Sequence, residues 1–201
     1  MWDFGLFNDY QGLIFDMDGT LIDTMPSHSR AWTMAGDHLG YPIRGELIYD
    51  FGGAPVNVIA KAMMAEAKMP ESMLDQLISE KRRIGQQLLL TESSLLPAAD
   101  VLKHFYGKKP MALGTGSHWA MVNQLVDLFA VRPYLNAIVT SEDVQRHKPQ
   151  PDTFLRCAEL IECEPTRCLV FEDADLGVQA GLAGGMDVFD VRIGQILKAD
   201  V

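Results

Sequence analysis

Short apolar runs alternate along the chain with longer stretches of helical periodicity. Each run suits a strand covered on both faces, because successive side chains are apolar. The predicted strands lie at 12–15, 110–113, 137–140, 168–171 and 188–191. Between them, apolar residues recur at helical spacing, as at Trp119, Val122, Val126 and Phe129 and at Phe154, Leu155, Ala158 and Ile161. This alternation predicts an α/β fold built on a doubly wound, Rossmann-like parallel sheet.

The stretch from residue 24 to residue 92 departs from this pattern, because helix signals replace strand signals throughout it. Pro26 marks the start of a first helix and Gly40 its end. Further helical segments are predicted near 44–50, 56–67 and 71–90, with a turn at Gly52-Gly53 before Pro55. The simplest organisation is an α/β core domain of residues 1–23 and 93–201 with a small inserted helical domain at 24–92.

Six of the eleven methionines lie in this insertion, at positions 25, 34, 63, 64, 69 and 73. Methionine fills irregular gaps in hydrophobic cores, so core packing is the simpler explanation. A Met-rich recognition surface is the alternative. The chain crosses between core and insertion near 23–26 and near 91–97, and we expect a hinge there.

Charge and cysteine usage narrow the classes of partner. The chain has 27 Asp and Glu against 17 Lys and Arg, a formal net charge of -10, which disfavours binding to nucleic acids or anionic membranes. No apolar run predicts a membrane span, and the amino terminus lacks the basic segment of a signal peptide. Cysteines at 157, 163 and 168 fit neither a disulfide framework nor, with His147, a zinc site. We expect a cytoplasmic protein, and a monomer by default.

Polar loops follow four of the predicted strands, at the sheet edge where α/β proteins gather function. The first loop holds Asp16 and Asp18 beside Gly19. Two carboxylates so close can serve one divalent cation and one proton transfer, and a solvated acidic turn is the alternative. The second loop is GTGS at 114–117, whose small residues and two hydroxyls suit an anion.

The other two loops add a lysine and further carboxylates. Two prolines fix the backbone after Lys148, ahead of a helix predicted to start near Asp152; a surface lysine is the alternative. Glu172 and Asp173 follow another strand, where an acidic helix N-cap at Asp175 is the alternative. Each loop alone is ambiguous, but their joint occurrence at strand ends of one sheet favours a common site.

The segments FDMDGT, GTGS, HKPQPD and VFEDADLGVQA resemble motifs one to four of the haloacid dehalogenase-like (HAD) superfamily. The resemblance runs from about Gly12 to Val191. More narrowly, the chain is similar to the branch that contains beta-phosphoglucomutase and small sugar phosphatases such as bacterial fructose-1-phosphate phosphatase. It implies a HAD core with an α-helical cap, and a Mg²⁺-dependent phosphatase. The substrate would be a small phosphorylated metabolite, a sugar phosphate of the fructose 1-phosphate or 6-phosphogluconate type.

The resemblance also implies roles for single residues. Asp16 would be the nucleophile that forms an aspartyl-phosphate, and Asp18 would protonate the leaving oxygen and then activate water. The catalytic set it implies is Asp16, Asp18, Thr115 and Lys148. The metal set is Asp16, the backbone carbonyl of Asp18, and Asp173, with Glu172 beside them. The phosphate-binding set is Met17, Thr115, Gly116, Ser117 and Lys148.

Two residues of the insertion match substrate-side positions of the resembled branch. His28 matches a histidine at the cap entrance that helps to position the acid–base Asp; a partly exposed helix histidine is the alternative. Lys81 matches a substrate-facing cap lysine. Its place in the run Glu80-Lys81-Arg82-Arg83 favours a solvated charged face instead.

Two other functions stay open. A sugar phosphomutase must hold a second phosphate on the cap with a fixed cation. The stretch 50–56 supplies no such cation, and Trp119 replaces the small polar residue expected in mutases. Lys81, Arg82 or Arg83 could supply the cation instead. A catalytically silent binding protein on the same fold is the second alternative, and no motif supports it.

Overall fold

The computed structural model describes residues 2–51 and 53–200 of the chain. Its strands are β1 (Gly12–Phe15), β2 (Ile22–Asp23), β3 (Ser94–Leu95), β4 (Met111–Gly114), β5 (Ala137–Val139), β6 (Cys168–Glu172), β7 (Asp187–Asp190) and β8 (Gln195–Leu197). Strands β5-β4-β1-β6-β7-β8 form one sheet in that order. Neighbours in this sheet are parallel except for β8, which pairs antiparallel with β7. The first strand of the chain therefore lies at the centre of the sheet.

The α-helices are α1 (Met25–His38), α2 (Val56–Glu66), α3 (Leu74–Glu92), α4 (Ala98–Phe105), α5 (Trp119–Leu128), α6 (Asp152–Leu160) and α7 (Asp175–Ala183). Short 3-10 segments cover Gly45–Phe51 and Glu71–Met73, in two of the stretches predicted as helical. The predicted helix start near Asp152 is confirmed. Gly40 ends the first helix of the insertion with a φ of +79°, a left-handed conformation that glycine adopts without steric cost.

The five predicted strands are confirmed to within one residue at each end. Strands β2, β3 and β8 were not predicted. The first two form a short antiparallel ribbon, with Ile22 opposite Leu95, where the chain passes between the core and the insertion. This ribbon occupies the two crossings at which a hinge was expected.

Helices cover both faces of the sheet, as predicted for a doubly wound fold. Successive residues of β1 point to opposite faces: Leu13 and Phe15 pack on the side of α4 and α5, and Ile14 packs on the side of α6 and α7. The α/β prediction is therefore confirmed. Two members of the predicted helical stripes do not belong to the core, because Trp119 and Leu155 are exposed.

Helices α1, α2 and α3 pack around a third hydrophobic cluster of their own. Three of the six methionines of this region, Met63, Met64 and Met69, are buried in it, and the other three pack partly buried against it or line the cavity described below. Most of these methionines therefore serve in core packing, as the simpler explanation predicted. Gly52 lies outside the described residues, so the predicted Gly52-Gly53 turn is described at Gly53 alone, where φ is +80°.

All three cysteines are free thiols. Among the described helices, none combines the length and apolar character that crossing a bilayer requires.

Candidate active site

Asp16, Lys148 and Glu172 form a buried ion cluster at the carboxyl ends of the central strands. The Lys148 ammonium donates to Asp16 Oδ1 at 2.6 Å and to Glu172 Oε1 at 2.5 Å. Its side chain is 1% exposed, and it lies over the ring of Phe154. The predicted alternative of a surface lysine is therefore wrong. Lys148, in the loop before α6, therefore holds the Asp16 carboxylate in place at the end of β1.

Glu172 has both carboxylate oxygens engaged. While Oε1 accepts from Lys148, Oε2 accepts from the backbone N–H groups of Asp173 and Ala174, each at 2.8 Å. The carboxylate also lies against the backbone of Gly177, where any Cβ would collide with it. A glycine in the first turn of α7 is therefore required for this arrangement.

Asp18 is surrounded by hydroxyl groups. Its Oδ1 accepts from Thr24 at 2.6 Å, and its Oδ2 accepts from Ser117 at 2.6 Å and lies 3.4 Å from the Thr115 hydroxyl. His28 Nε2 lies 3.3 Å from Oδ1. The GTGS loop and the start of α1 thus meet at one carboxylate, and a solvated acidic turn is excluded.

Residues of the loop after β1 contact both oxygens of Asp173 and hold it in place. The Thr20 hydroxyl, which is buried, donates to Asp173 Oδ1 at 2.9 Å. The other oxygen lies against the backbone of Gly19, where φ is +86° and an added Cβ would collide with the carboxylate. Asp175, by contrast, begins α7 without capping it and pairs with Arg192 at 2.7 Å. The alternative of an N-cap at Asp175 is therefore wrong.

The carboxylates of this site have shifted pKa values. Burial raises the pKa of Asp16 well above its usual range; Lys148 opposes the shift, and the charges of Glu172, Asp173 and Asp18 add to it. Burial and the charge of Glu172 raise the pKa of Asp173 to about 7. Burial also acts to raise the pKa of Asp18, but hydrogen bonds from His28, Ser117 and Thr24 hold it below its usual value. The four acidic side chains of the site can carry more negative charge than Lys148 neutralises.

These groups face a cavity of about 430 Å³ between the sheet edge and helices α1 to α3. Asp16, Asp18 and Asp173 line its core side. The other side is lined partly by apolar residues, among them Trp32, and partly by polar residues of α3. A concave site of this size, with a few convergent polar groups, suits a small molecule.

Residues 10–185 match the family model described as haloacid dehalogenase-like hydrolase. The chain belongs to this family. A protein of Haemophilus influenzae is 56% identical over 198 residues, covering 98% of this chain and 99% of its own length. Fructose-1-phosphate phosphatase YqaB of Escherichia coli is 42% identical and covers 94% of this chain and 100% of its own length. The crystal structure of beta-phosphoglucomutase from Clostridium difficile superposes with a TM-score of 0.76 at 21% identity, covering 90% and 84% of the two chains.

In this HAD-like hydrolase, the two cap residues singled out from the sequence lie together. Lys81 Nζ is 3.0 Å from His28 Nδ1, and the His28 side chain is 12% exposed. Lys81 is buried and lies over the Trp32 ring, so the prediction of a solvated face is wrong at this position. Its neighbours Arg82 and Arg83 are exposed. Burial lowers the pKa of Lys81 to about 8.

The predicted phosphate-binding residues lie close to these carboxylates. Thr115, Gly116 and Ser117 line the cavity. Met17 is fully buried, and its carbonyl accepts backbone N–H groups of Thr20, Leu21 and Ile22. The hydroxyl groups of Thr20 and Thr24 were not singled out from the sequence, because a lone threonine beside an acidic motif has no distinctive spacing.

The Mg²⁺ that the family resemblance implies fits an all-oxygen donor set here. Among residues 2–51 and 53–200, no three His, Cys, Asp or Glu side chains already form a coordinating group. The implied set needs only two carboxylates, of Asp16 and Asp173, because Asp18 would contribute its backbone carbonyl. Both carboxylates line the same cavity, and the Thr20 hydroxyl fixes the orientation of Asp173, which fits the binding of a cation there. Glu172, the fourth member of the predicted metal set, also lines the cavity, and both its oxygens accept hydrogen bonds.

We expect Thr20→Val to weaken Mg²⁺ binding about 10-fold, because second-shell hydrogen bonds that orient ligands typically contribute this much. Isothermal titration calorimetry with Mg²⁺ measures the change in affinity. Thr20→Ser retains the hydroxyl and should bind as the wild type does. Thr153→Val removes a hydroxyl from another buried threonine and serves as the matched control. Equal Mg²⁺ affinity in Thr20→Val and Thr20→Ser would contradict the expectation.

Proposed function

We propose that this protein is a Mg²⁺-dependent phosphatase that hydrolyses a small sugar phosphate through an aspartyl-phosphate intermediate. The observation that carries the proposal is the pairing of Asp16, bonded to Lys148, with Asp18, bonded to four side chains, on one wall of the cavity. The family match and the relative named fructose-1-phosphate phosphatase support it.

Asp16 is the nucleophile in this proposal. Lys148 binds Oδ1, which leaves Oδ2 for attack on phosphorus in line with the leaving oxygen. The P–O bond to the sugar breaks as the Asp16–phosphorus bond forms. Water then attacks the phosphorus of the intermediate, which releases phosphate and regenerates the carboxylate.

Asp18 moves the protons in both steps. In the second step its ionised carboxylate accepts a proton from the attacking water, and the hydroxyls of Thr24 and Ser117 orient it. In the first step it must carry a proton for the sugar oxygen. The negative charge of a bound phosphate favours that protonated form, because a nearby like charge raises the pKa of a carboxyl group.

Bound phosphate needs positive charge and hydrogen-bond donors around it. Thr115, Gly116 and Ser117 line the cavity beside Asp18, and Lys148 lies beside Asp16, so these residues and the Met17 backbone would contact the phosphate oxygens. Mg²⁺ would be held by Asp16, the Asp18 carbonyl and Asp173. When bound, it neutralises charge that develops on the transferred phosphate.

The proposed division of the chain assigns residues 1–23 and 93–201 to the catalytic core and 24–92 to the cap. The cap closes the cavity from two sides. Its backbone at Gly53 lies beside Lys148 and Gly116, and α3 lies beside α5. Closure of this kind excludes bulk water from the transfer step.

A panel of sugar phosphates tests the proposal through phosphate release with Mg²⁺ and with a chelator. We expect release from at least one hexose phosphate that needs both Mg²⁺ and Asp16. Incubation with beta-glucose 1-phosphate and a trace of the bisphosphate tests the mutase alternative: glucose 6-phosphate without free phosphate would overturn the hydrolase. If the protein releases phosphate from none of the esters, including an aryl phosphate, the catalytically silent binding protein is favoured.

Lys81 gives the proposal a pH dependence. The ammonium, which contacts the substrate in this proposal, is present below its pKa of about 8 and lost above it. We therefore expect KM to rise about 10-fold between pH 7 and pH 9.5, since a hydrogen bond to a charged group contributes roughly that factor. Lys81→Met should show the high KM at both pH values, and Lys81→Arg the low KM at both. A KM for the wild type that is constant over this range would contradict the role of Lys81.

A further inference from the structure

Exposed side chains of α3 in the cap and of α5 and its N-terminus in the core line one part of the cavity, which we call its opening. Two side chains of α3 cross it, four residues apart and so on the same helix face. Arg82 lies with a guanidinium nitrogen 2.7 Å from His118 Nε2, and Gln86 donates to Gln124 at 3.3 Å. All four line the cavity. Lys81, the residue before Arg82, instead contacts His28, whose other ring nitrogen lies beside Asp18. The cap thus presents one cation near the catalytic carboxylates and a second at the opening.

Arg82 differs from the neighbouring Arg83 in what it binds. Arg83 makes two hydrogen bonds to the Glu80 carboxylate on its own helix and does not line the cavity. Arg82 makes a single side-chain hydrogen bond within the described chain, and that bond goes to an imidazole. Because a guanidinium has five N–H donors and no acceptor, His118 Nε2 must accept, and Arg82 keeps donors for a ligand.

Glu142 places an acceptor at the same opening. One oxygen accepts from the backbone N–H of Trp119 at 2.7 Å and lies 3.9 Å from His118 Nδ1. The carboxylate is about half exposed and lines the cavity. A donor-only cation and an acceptor-only anion, each next to His118 and each lining the cavity, together match a hydroxyl group, which both donates and accepts. The same anion repels a carboxylate at this position.

We infer that Arg82, braced by His118, and Glu142 bind hydroxyl groups at the end of the substrate remote from the phosphate. These two residues then select neutral sugar phosphates of five or six carbons over two- or three-carbon esters and over sugar acids. This inference rests on the proposed phosphatase function and adds the substrate class. A short ester can fill the phosphate site without reaching the opening, so it provides an internal control.

The test compares kcat/KM for fructose 1-phosphate and glycerol 3-phosphate in wild type, Arg82→Met and Arg83→Met. We expect Arg82→Met to lower the value for the hexose ester about 10-fold, the usual effect of losing a hydrogen bond to a charged group. Its value for glycerol 3-phosphate should stay within about twofold, and Arg83→Met should match the wild type on both esters. Equal losses on both esters would assign Arg82 to cap closure, and no loss on the hexose ester would remove it from the substrate site; either overturns the inference.

Glu142→Gln tests the charge argument separately. We expect the ratio of kcat/KM for 6-phosphogluconate to that for fructose 1-phosphate to rise about 10-fold, since the amide no longer repels the carboxylate. An unchanged ratio would overturn the selection against sugar acids. Wild-type protein that releases phosphate from none of these esters would overturn the proposed function itself. That outcome is distinct from an active enzyme whose variants keep the wild-type preference.

Discussion

Asp16→Asn will lower kcat for phosphate release by at least about 10⁴-fold, because an amide cannot attack phosphorus and losing a nucleophile typically costs this much or more. The fold should survive the change. Asparagine has nearly the same shape as aspartate, and Lys148 keeps its bond to Glu172. Since burial and neighbouring acids raise the pKa of Asp16, removing its charge should not lower the free energy of unfolding.

Phosphate release and urea unfolding, measured on the same preparation, separate chemistry from stability. Asp100→Asn is the matched control, because Asp100 is exposed on α4, where it pairs with Lys103. This control should keep full activity. Substantial turnover by Asp16→Asn would rule out a covalent role for that residue and leave a mechanism in which water attacks directly.

Lys148→Met will remove the cation that Asp16 and Glu172 share, and we expect it to lower the free energy of unfolding by about 3–5 kcal/mol. The reason is burial: the Lys148 side chain is 1% exposed, so water cannot solvate the two carboxylates left behind. Activity should be lost as well. Chemical denaturation at pH 7 measures the first effect, and phosphate release measures the second.

A double variant shows whether the unpaired buried carboxylates cause this loss of stability. Lys148→Met combined with Asp16→Asn removes one of the two unpaired carboxylates, and we expect it to unfold at a higher denaturant concentration than Lys148→Met alone. Lys103→Met removes an exposed lysine from a surface pair and should change stability by less than about 1 kcal/mol. A similarly small loss in Lys148→Met would mean that the carboxylates take up protons without cost.

The central strands β1, β4 and β6 were predictable because they are short and fully buried. A run such as residues 12–15 has no helical periodicity and ends in polar residues, so pattern alone locates it. Strands β2 and β3 have two residues each, too few for any periodicity. Strand β8, residues 195–197, is at a sheet edge and only partly buried, so its sequence shows no clear hydrophobic face.

The carboxylates and Lys148 were predictable because motif spacing locates them at strand ends. The burial of Lys81 was not predictable. Its neighbours in the run are also charged, so the sequence does not show which of these side chains points inward. The helical rotation of 100° per residue turns Lys81 inward and leaves Arg82 at the cavity opening and Arg83 at the surface. The position of His118 opposite Arg82 depends on contact between two separate helices, which no local pattern encodes.

Helices α1 to α3 pack around their own hydrophobic cluster, although Leu89, near the end of α3, belongs to a cluster that covers the sheet. A substitution that changes the inner surface of these helices therefore disturbs packing in that cluster and leaves the strands that carry the carboxylates intact. Substrate preference can consequently diverge between descendants of one ancestral gene while the phosphate chemistry stays the same.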